Sequence, residues 1–206
     1  MPWLGQRIRE ERTRQGTSLR ALARDVGVSP SMISQIETGK SQPSVSTLYA
    51  ITSALGISVE ELFSEPERVD VPAPRPGPPA TVLDALASVR GGRLGPLVRP
   101  DERQILHLDS GVTWERLGEL PPHVVDFLLV TYAPGGTSSS NGKLMRHSGA
   151  EYGFLLRGEL TLTLGFEEIK VRPGDAISFE STTPHRYRND GTDPAVGIWV
   201  VIERGA

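Results

Sequence analysis

Residues 18–39 read SLRALARDVGVSPSMISQIETG, from Ser18 to Gly39, and this stretch decides how the N-terminal part folds. Ser18 is placed to cap a helix, its hydroxyl accepting from an orphan N–H of the first turn. Leu19, Leu22, Ala23 and Val26 then recur at helical spacing and form one apolar stripe. Gly27 follows as a residue that tolerates positive φ at a helix end. Ser29 caps a second helix, and Pro30 takes its first position, where a missing N–H does no harm. Ile33 and Ile36 point inward, Ser31, Met32, Ser34 and Gln35 point outward, and Gly39 closes the helix. A short helix with a small, polar outer face and a bracing helix before it fits the major groove of DNA, N-terminal side chains first. The same bare pattern also fits two core helices with a solvated face.

Working outward, Leu4–Gln15 reads as a first helix, with Leu4 and Ile8 on one side and Arg7, Arg9, Arg12 and Arg14 on the others. Pro43 and Ser44 open a fourth helix that carries Leu48, Ile51 and Leu55 inward and stops at Gly56. Val59–Phe63 is a short fifth helix. From Leu4 to Phe63, without a gap, the chain resembles the lambda-repressor-like helix-turn-helix domain of the xenobiotic-response-element type. Leu22–Ala23, QIETGK at Gln35–Lys40 and PSVSTL at Pro43–Leu48 carry the resemblance. The family pattern implies base readout by Ser31, Met32, Ser34 and Gln35. Gln35 can pair bidentate with adenine, and Met32 can pack on a thymine methyl. Arg7, Arg20, Thr38 and Lys40 are assigned to phosphates, and the cap residues Ser18 and Ser29 complete the DNA-binding set. Arg20 and Arg24 have an alternative partner in Asp25.

Bulk properties set limits. The chain has 206 residues, 37% of them apolar, and a formal net charge of −3. It has no cysteine, which excludes disulfides and thiolate metal sites and fits a reducing cytoplasm. No apolar run approaches the roughly 20 residues of a bilayer span. The N-terminus has no apolar signal core. A cytoplasmic protein without membrane contact is expected. Charge is unevenly spread: residues 1–40 hold seven Lys/Arg against four Asp/Glu, and the remainder holds fifteen against twenty-one. A mildly basic head on an acidic body suits a DNA reader fused to a part that stays off DNA, with few phosphate contacts per subunit.

Glu65–Ala80, EPERVDVPAPRPGPPA, holds six prolines and reads as an extended polyproline II spacer. TVLDALAS at 81–88 adds a helical turn or two. The expected organisation is a helix-turn-helix domain over 1–64, a proline-rich linker over 65–88 and a second domain over 89–206. In that second part short apolar stretches alternate with turns: ILHL at 105, VTWERL at 112, VVDFLLVTYA at 124, YGFLLRGELTLTLG at 152, IKV at 169, AISF at 176 and VGIWVVIE at 196. Many short strands at this spacing argue an antiparallel sandwich or barrel.

RHSGAEYGFLLRGEL (146–160) and VRPGDAISFESTTPHRYRN (171–189) lie in this half. They resemble the two motifs of the cupin superfamily, over roughly residues 90–203. The resemblance implies an all-β jelly-roll barrel with a metal inside. It puts His147, Glu151 and His185 on ligand positions, and Gly158, Pro173, Gly174 and Asn189 on structural ones. The family's first histidine position is Met145 here. A thioether is a poor partner for Fe(II), Mn(II) or Zn(II) beside nitrogen and oxygen donors. The two histidines and a carboxylate that remain can hold a divalent metal (Fe, Mn, Zn or Ni) as a facial triad with open positions. The alternative is a metal-free barrel that binds an organic ligand with the same groups. Met145, Tyr132, Tyr152, Phe154, Tyr187 and Trp199 are the candidates for an effector pocket, and Thr137–Ser140 is a loop placed to lid it. His107 and His123 read as solvated or core-satisfied imidazoles.

The expected architecture is therefore α+β and multidomain. A five-helix lambda-repressor-like DNA-binding domain is joined by the proline-rich linker to a cupin barrel. This pairing resembles bacterial one-component regulators. The resemblance implies a transcriptional regulator and not an enzyme, whose cupin domain binds a small-molecule effector and modulates operator binding. It also implies a homodimer, or a higher homo-oligomer, held mainly by the barrels on double-stranded DNA. The half-sites would lie one duplex turn, about 34 Å, or a multiple of that, apart. The alternative is a non-haem iron oxygenase of the hydroxypropylphosphonate epoxidase kind, which has the same two-part layout and uses iron held by two histidines and a glutamate. A third reading is a DNA-binding protein whose barrel only dimerises.

Overall fold

The computed structural model describes residues 2–63, 97–118 and 125–202. The spacer expected at 65–88, its final helical turns and His123 lie outside the described residues. Five helices come first: α1 (Pro2–Arg14), α2 (Leu19–Val26), α3 (Pro30–Glu37), α4 (Val45–Leu55) and α5 (Val59–Phe63). The cap signals find their atoms. Ser18 Oγ accepts from the Ala21 N–H and Ser29 Oγ from the Met32 N–H, both at 3.1 Å. Gly27 takes φ 76°, and the Val28 N–H donates back to the Ala23 carbonyl at 2.9 Å, closing α2. Leu4, Ile8, Leu22, Ile33, Ile36, Leu48, Ile51 and Leu55 are buried together. None of the described helices is long and apolar enough to cross a membrane.

Among the described residues nine strands follow: β1 (Ile105–Leu108), β2 (Val112–Arg116), β3 (Val125–Tyr132), β4 (Ala150–Arg157), β5 (Leu160–Leu164), β6 (Glu167–Val171), β7 (Ala176–Glu180), β8 (His185–Arg188) and β9 (Ala195–Ile202). They form two antiparallel sheets, β1-β2-β3-β9-β4-β7 and β6-β5-β8. The inner faces meet through Leu128, Val130, Tyr132 and Trp199 on the large sheet and Leu160, Leu162 and Tyr187 on the small one, all buried. Strand parity makes this possible, since residues two apart share a face. Two glycines make room for the Trp199 indole: a Cβ on Gly197 would lie 2.5 Å from it, and one on Gly153 3.0 Å.

The helical and β parts share one hydrophobic core. The Asp109 N–H donates to the Pro43 carbonyl and the Ser46 N–H to the Ser138 carbonyl, each at 2.9 Å. Gln104 Nε2 donates to the Phe63 carbonyl at 3.2 Å, and the Arg116 guanidinium lies 5.7 Å above the Phe63 ring centre. Thr137–Ser140, expected as a lid, is tied into the fold through its middle residues. Ser138 and Ser139 are buried, and Ser138 is laced to Tyr187 by its N–H and by its Oγ, both at 3.0 Å. Its Ser138 carbonyl also receives the Ser46 N–H from the first turn of α4. Helix α4 is apolar on two sides: Leu48, Ile51 and Leu55 belong to the helical core, while Val45 and Tyr49, one turn apart, face the interior between the sheets.

Candidate functional site

The face expected to meet DNA is built from α2 and α3. Its orientation is fixed by Arg12 on α1, whose Nε and Nη2 reach the two carboxylate oxygens of Glu37 at 2.5 and 2.9 Å. Nη1 of the same guanidinium donates to the Thr17 carbonyl at 2.9 Å. One side chain thus ties α1, the turn before α2 and the end of α3. Ser31, Met32, Gln35, Thr38 and Lys40 are exposed, and Ser34 is half-buried. Arg20 is exposed, and Arg7 is half-buried and 3.6 Å from Glu10. The Ser18 and Ser29 hydroxyls are committed to capping, and Thr38 Oγ1 donates to the Ser34 carbonyl at 2.8 Å. Arg24 pairs with Asp25 at 3.3 Å.

The second site lies between the sheets. His147 stands in the connection before β4, Glu151 is on β4, and His185 opens β8. Met145 pairs with His185 backbone to backbone, which brings the two motifs together. Glu151 Oε1 lies 2.8 Å from His147 Nε2 and 2.9 Å from His185 Nε2. The other nitrogens face carbonyls: His147 Nδ1 is 3.1 Å from the Ser148 oxygen, and His185 Nδ1 is 2.8 Å from the Thr183 oxygen. A carbonyl can only accept, so each Nδ1 carries a proton, and each Nε2 turns toward the Glu151 carboxylate. The two Nε2 atoms and a Glu151 oxygen converge, and with both Nε2 unprotonated they present three donor atoms to a cation. His185 Nε2 is buried and, despite its distance from Glu151, out of line for a hydrogen bond. A divalent cation fits this donor set, with backbone carbonyls orienting the imidazoles as they do in metal sites.

Glu151 is charged in this setting. Burial pushes its carboxyl up, but the His147 and His185 imidazoles set against it overcome this and hold it at about 2. Its second oxygen, Oε2, accepts from the Tyr187 hydroxyl at 3.0 Å, and the Trp199 indole N–H reaches that hydroxyl at 3.3 Å. Tyr187 therefore pins one carboxylate oxygen and leaves the other to the histidines. Burial, with the Glu151 charge adding to it, raises the Tyr132 and Tyr187 phenols well above their ordinary range, so both stay protonated.

Met145, Tyr132, Tyr187 and Trp199 line the cavity beside Glu151. Tyr152 and Phe154 do not, which corrects the expected pocket. Glu151 points inward, so its strand neighbours at 152 and 154 must point outward, and they are 49% and 44% exposed. The sequence reading also missed Tyr49 and Val45, which enter the cavity from α4. A signal existed: both are large or branched apolar residues one turn apart, off the Leu48–Ile51–Leu55 stripe, and they mark a second face needing cover.

Residues 8–62 match the helix-turn-helix family and residues 128–201 the cupin domain family. The chain is a helix-turn-helix domain followed by a cupin domain, and it is homologous over most of its length to helix-turn-helix regulators of that build. It is 29% identical over 185 residues to the HTH-type transcriptional regulator PuuR of Escherichia coli (strain K12), covering 90% of this chain and 86% of that one. It is 24% identical over 191 residues to the HTH-type transcriptional regulator SutR of the same strain, with 92% and 88% covered. The crystal structure of an HTH_3 family transcriptional regulator from Vibrio cholerae shares the fold, with a TM-score of 0.64 and 23% identity over 99% of this chain and 97% of that one.

Proposed function

We propose that the protein is a DNA-binding transcriptional regulator in which α3 reads the major groove and the cupin domain binds a small-molecule effector, with a divalent metal held by His147, Glu151 and His185. The observation that carries this is the α3 face: a capped helix, locked in place by Arg12 and Glu37, whose Ser31, Met32 and Gln35 remain exposed while its other side is core. Ser34, Arg7, Arg20, Thr38 and Lys40 complete the surface offered to a duplex. No catalytic step is assigned. The reading is tested by gel retardation of the DNA upstream of the protein's own reading frame. Gln35→Ala should cost about 1–3 kcal/mol and relax preference at one base step. Equal binding of wild type and variant to the operator and its single-base variants removes Gln35 from the readout.

The partner on the outer sheet face is a second copy of the chain. Phe127 on β3 lies opposite Val200 on β9, which lies opposite Tyr152 on β4, and Leu129, Ile198 and Phe154 repeat the row. Phe127, Tyr152 and Phe154 are exposed, and none of these six residues carries charge. A three-strand apolar strip can meet its own copy about a two-fold axis without opposing like charges. Phe127→Asp with Phe154→Asp should convert a dimer to a monomer in sedimentation. It should also weaken operator binding by at least about tenfold as the avidity of paired readers is lost. A double variant that sediments as the wild type does rules this face out.

A further inference from the structure

Tyr49 belongs to the DNA-reading domain by sequence and to the cupin site by position. Its ring stacks on the His147 imidazole, with centroids 3.9 Å apart and planes within 3°, and meets Trp114 edge-on at 5.9 Å. Both Tyr49 and His147 are buried by this contact. The cavity left beneath, about 20 Å³, has room for one water-sized group. Sites for organic ligands run to about 300–1,000 Å³. A wall must therefore move before such a ligand can enter. Most of the lining is held in place by continuous strand ladders: Trp114, Leu128, Val130, Tyr132, Glu151, Trp199 and Val201 lie on β2, β3, β4 and β9. Helix α4, by contrast, meets the β part through Val45 and Tyr49 and through the Ser46–Ser138 bond, with the Pro43–Asp109 bond just ahead of it.

We propose that the effector site is built by both domains, with Tyr49 as its movable wall, so that a ligand of more than a few heavy atoms occupies the site only as α4 leaves the sheets. This rests on reading the β part as the sensor of a DNA-binding regulator, and it names the residue through which the two communicate. Ligand and reader compete for the face of His147. Docking opposes ligand entry, and ligand opposes docking by the same factor, because coupling between two binding events is reciprocal. With α4 docked, α3 is held at one position relative to the barrel. With α4 released, the ties left to the sheets are those of Phe63 to Gln104 and Arg116, and the spacing of two readers in a dimer is set less tightly by the barrels.

The chain has no cysteine, so Met145→Cys places a single thiol on the cavity wall. N-ethylmaleimide serves as the probe. The thiol should react at least about tenfold more slowly with Tyr49 present than in a Tyr49→Ala background, because the closed state must open first. Once the adduct has formed, hydrogen exchange at the Ser46 and Asp109 amides, both donors across the domain boundary, should accelerate. Equal labelling rates in the two backgrounds overturn the proposal, as does an adduct that leaves both amides as protected as before. Acrylamide quenching of Trp114 and Trp199, in chains with Trp3→Phe and native Met145, guards against a folding defect of the cysteine variant. Quenching should rise in Tyr49→Ala and stay low in Tyr49→Phe, which keeps the stack; equal quenching in all three chains refutes the movable wall. None of these measurements uses DNA. Their failure leaves the DNA-reading assignment standing, and failure of operator binding leaves the Tyr49 wall standing but removes its coupling to a reader.

Discussion

Glu37→Ala is expected to lower the unfolding free energy by about 3 kcal/mol and to take specific DNA binding with it. The Glu37 side chain is 4% exposed and that of Arg12 13%. The two form a bidentate pair, and Arg12 spends a further donor on the Thr17 carbonyl. Removing the carboxylate strands a guanidinium that water reaches poorly, and an uncompensated buried charge costs more than the intact pair contributes. For a protein of this size the loss corresponds to a Tm drop of about 6–12 °C in calorimetry. The distinguishing control is Arg12→Met with Glu37→Leu, which removes both charges and should recover most of the stability. Operator binding should not recover fully, because the pair also sets the angle of α3. A single variant as stable as wild type would show that the pair is solvated in practice.

His185→Ala is expected to abolish stoichiometric metal uptake. After loading with Ni(II) or Fe(II) and desalting, wild type should retain about one ion per chain and the variant close to none, since a site that must compete with water needs its full ligand set. Two of the three ligands would remain, one an imidazole whose Nε2 faces the carboxylate. Tyr187→Phe is the finer probe. It leaves every ligand in place but removes the hydroxyl that holds Glu151 Oε2, so the carboxylate can rotate and affinity should fall about tenfold. A wild-type chain that retains no divalent ion would mean that protons rather than a metal bridge the three acceptors.

Much of the helical half is legible from residue types, because its signals are local. Ser18, Gly27, Ser29 and Pro30 each specify one backbone event, and each event occurs where the residue stands. The strands are legible as apolar runs, except β8. That element, HRYR, is four residues long and half basic, so no run of apolar residues marks it, although His185 and Tyr187 share its inner face. The errors came where parity or distance decides. Tyr152 and Phe154 have the aromatic character of a pocket lining, but the neighbouring Glu151 fixes which side of β4 they occupy. Tyr49 was invisible for a different reason. Its partner His147 is 98 positions away, in another domain, and no local pattern records that a helix of one domain closes the cavity of another.

The common core of the two halves also bears on how the chain comes apart. Side chains from α1 through β9 belong to one contiguous apolar cluster, so the halves have no separate interiors to melt in succession. Heating the free protein should then give a single calorimetric endotherm whose van't Hoff and measured enthalpies agree. Once a ligand pries the halves apart, two endotherms should replace it, and the count of transitions becomes a direct readout of whether the molecule behaves as one cooperative unit or two.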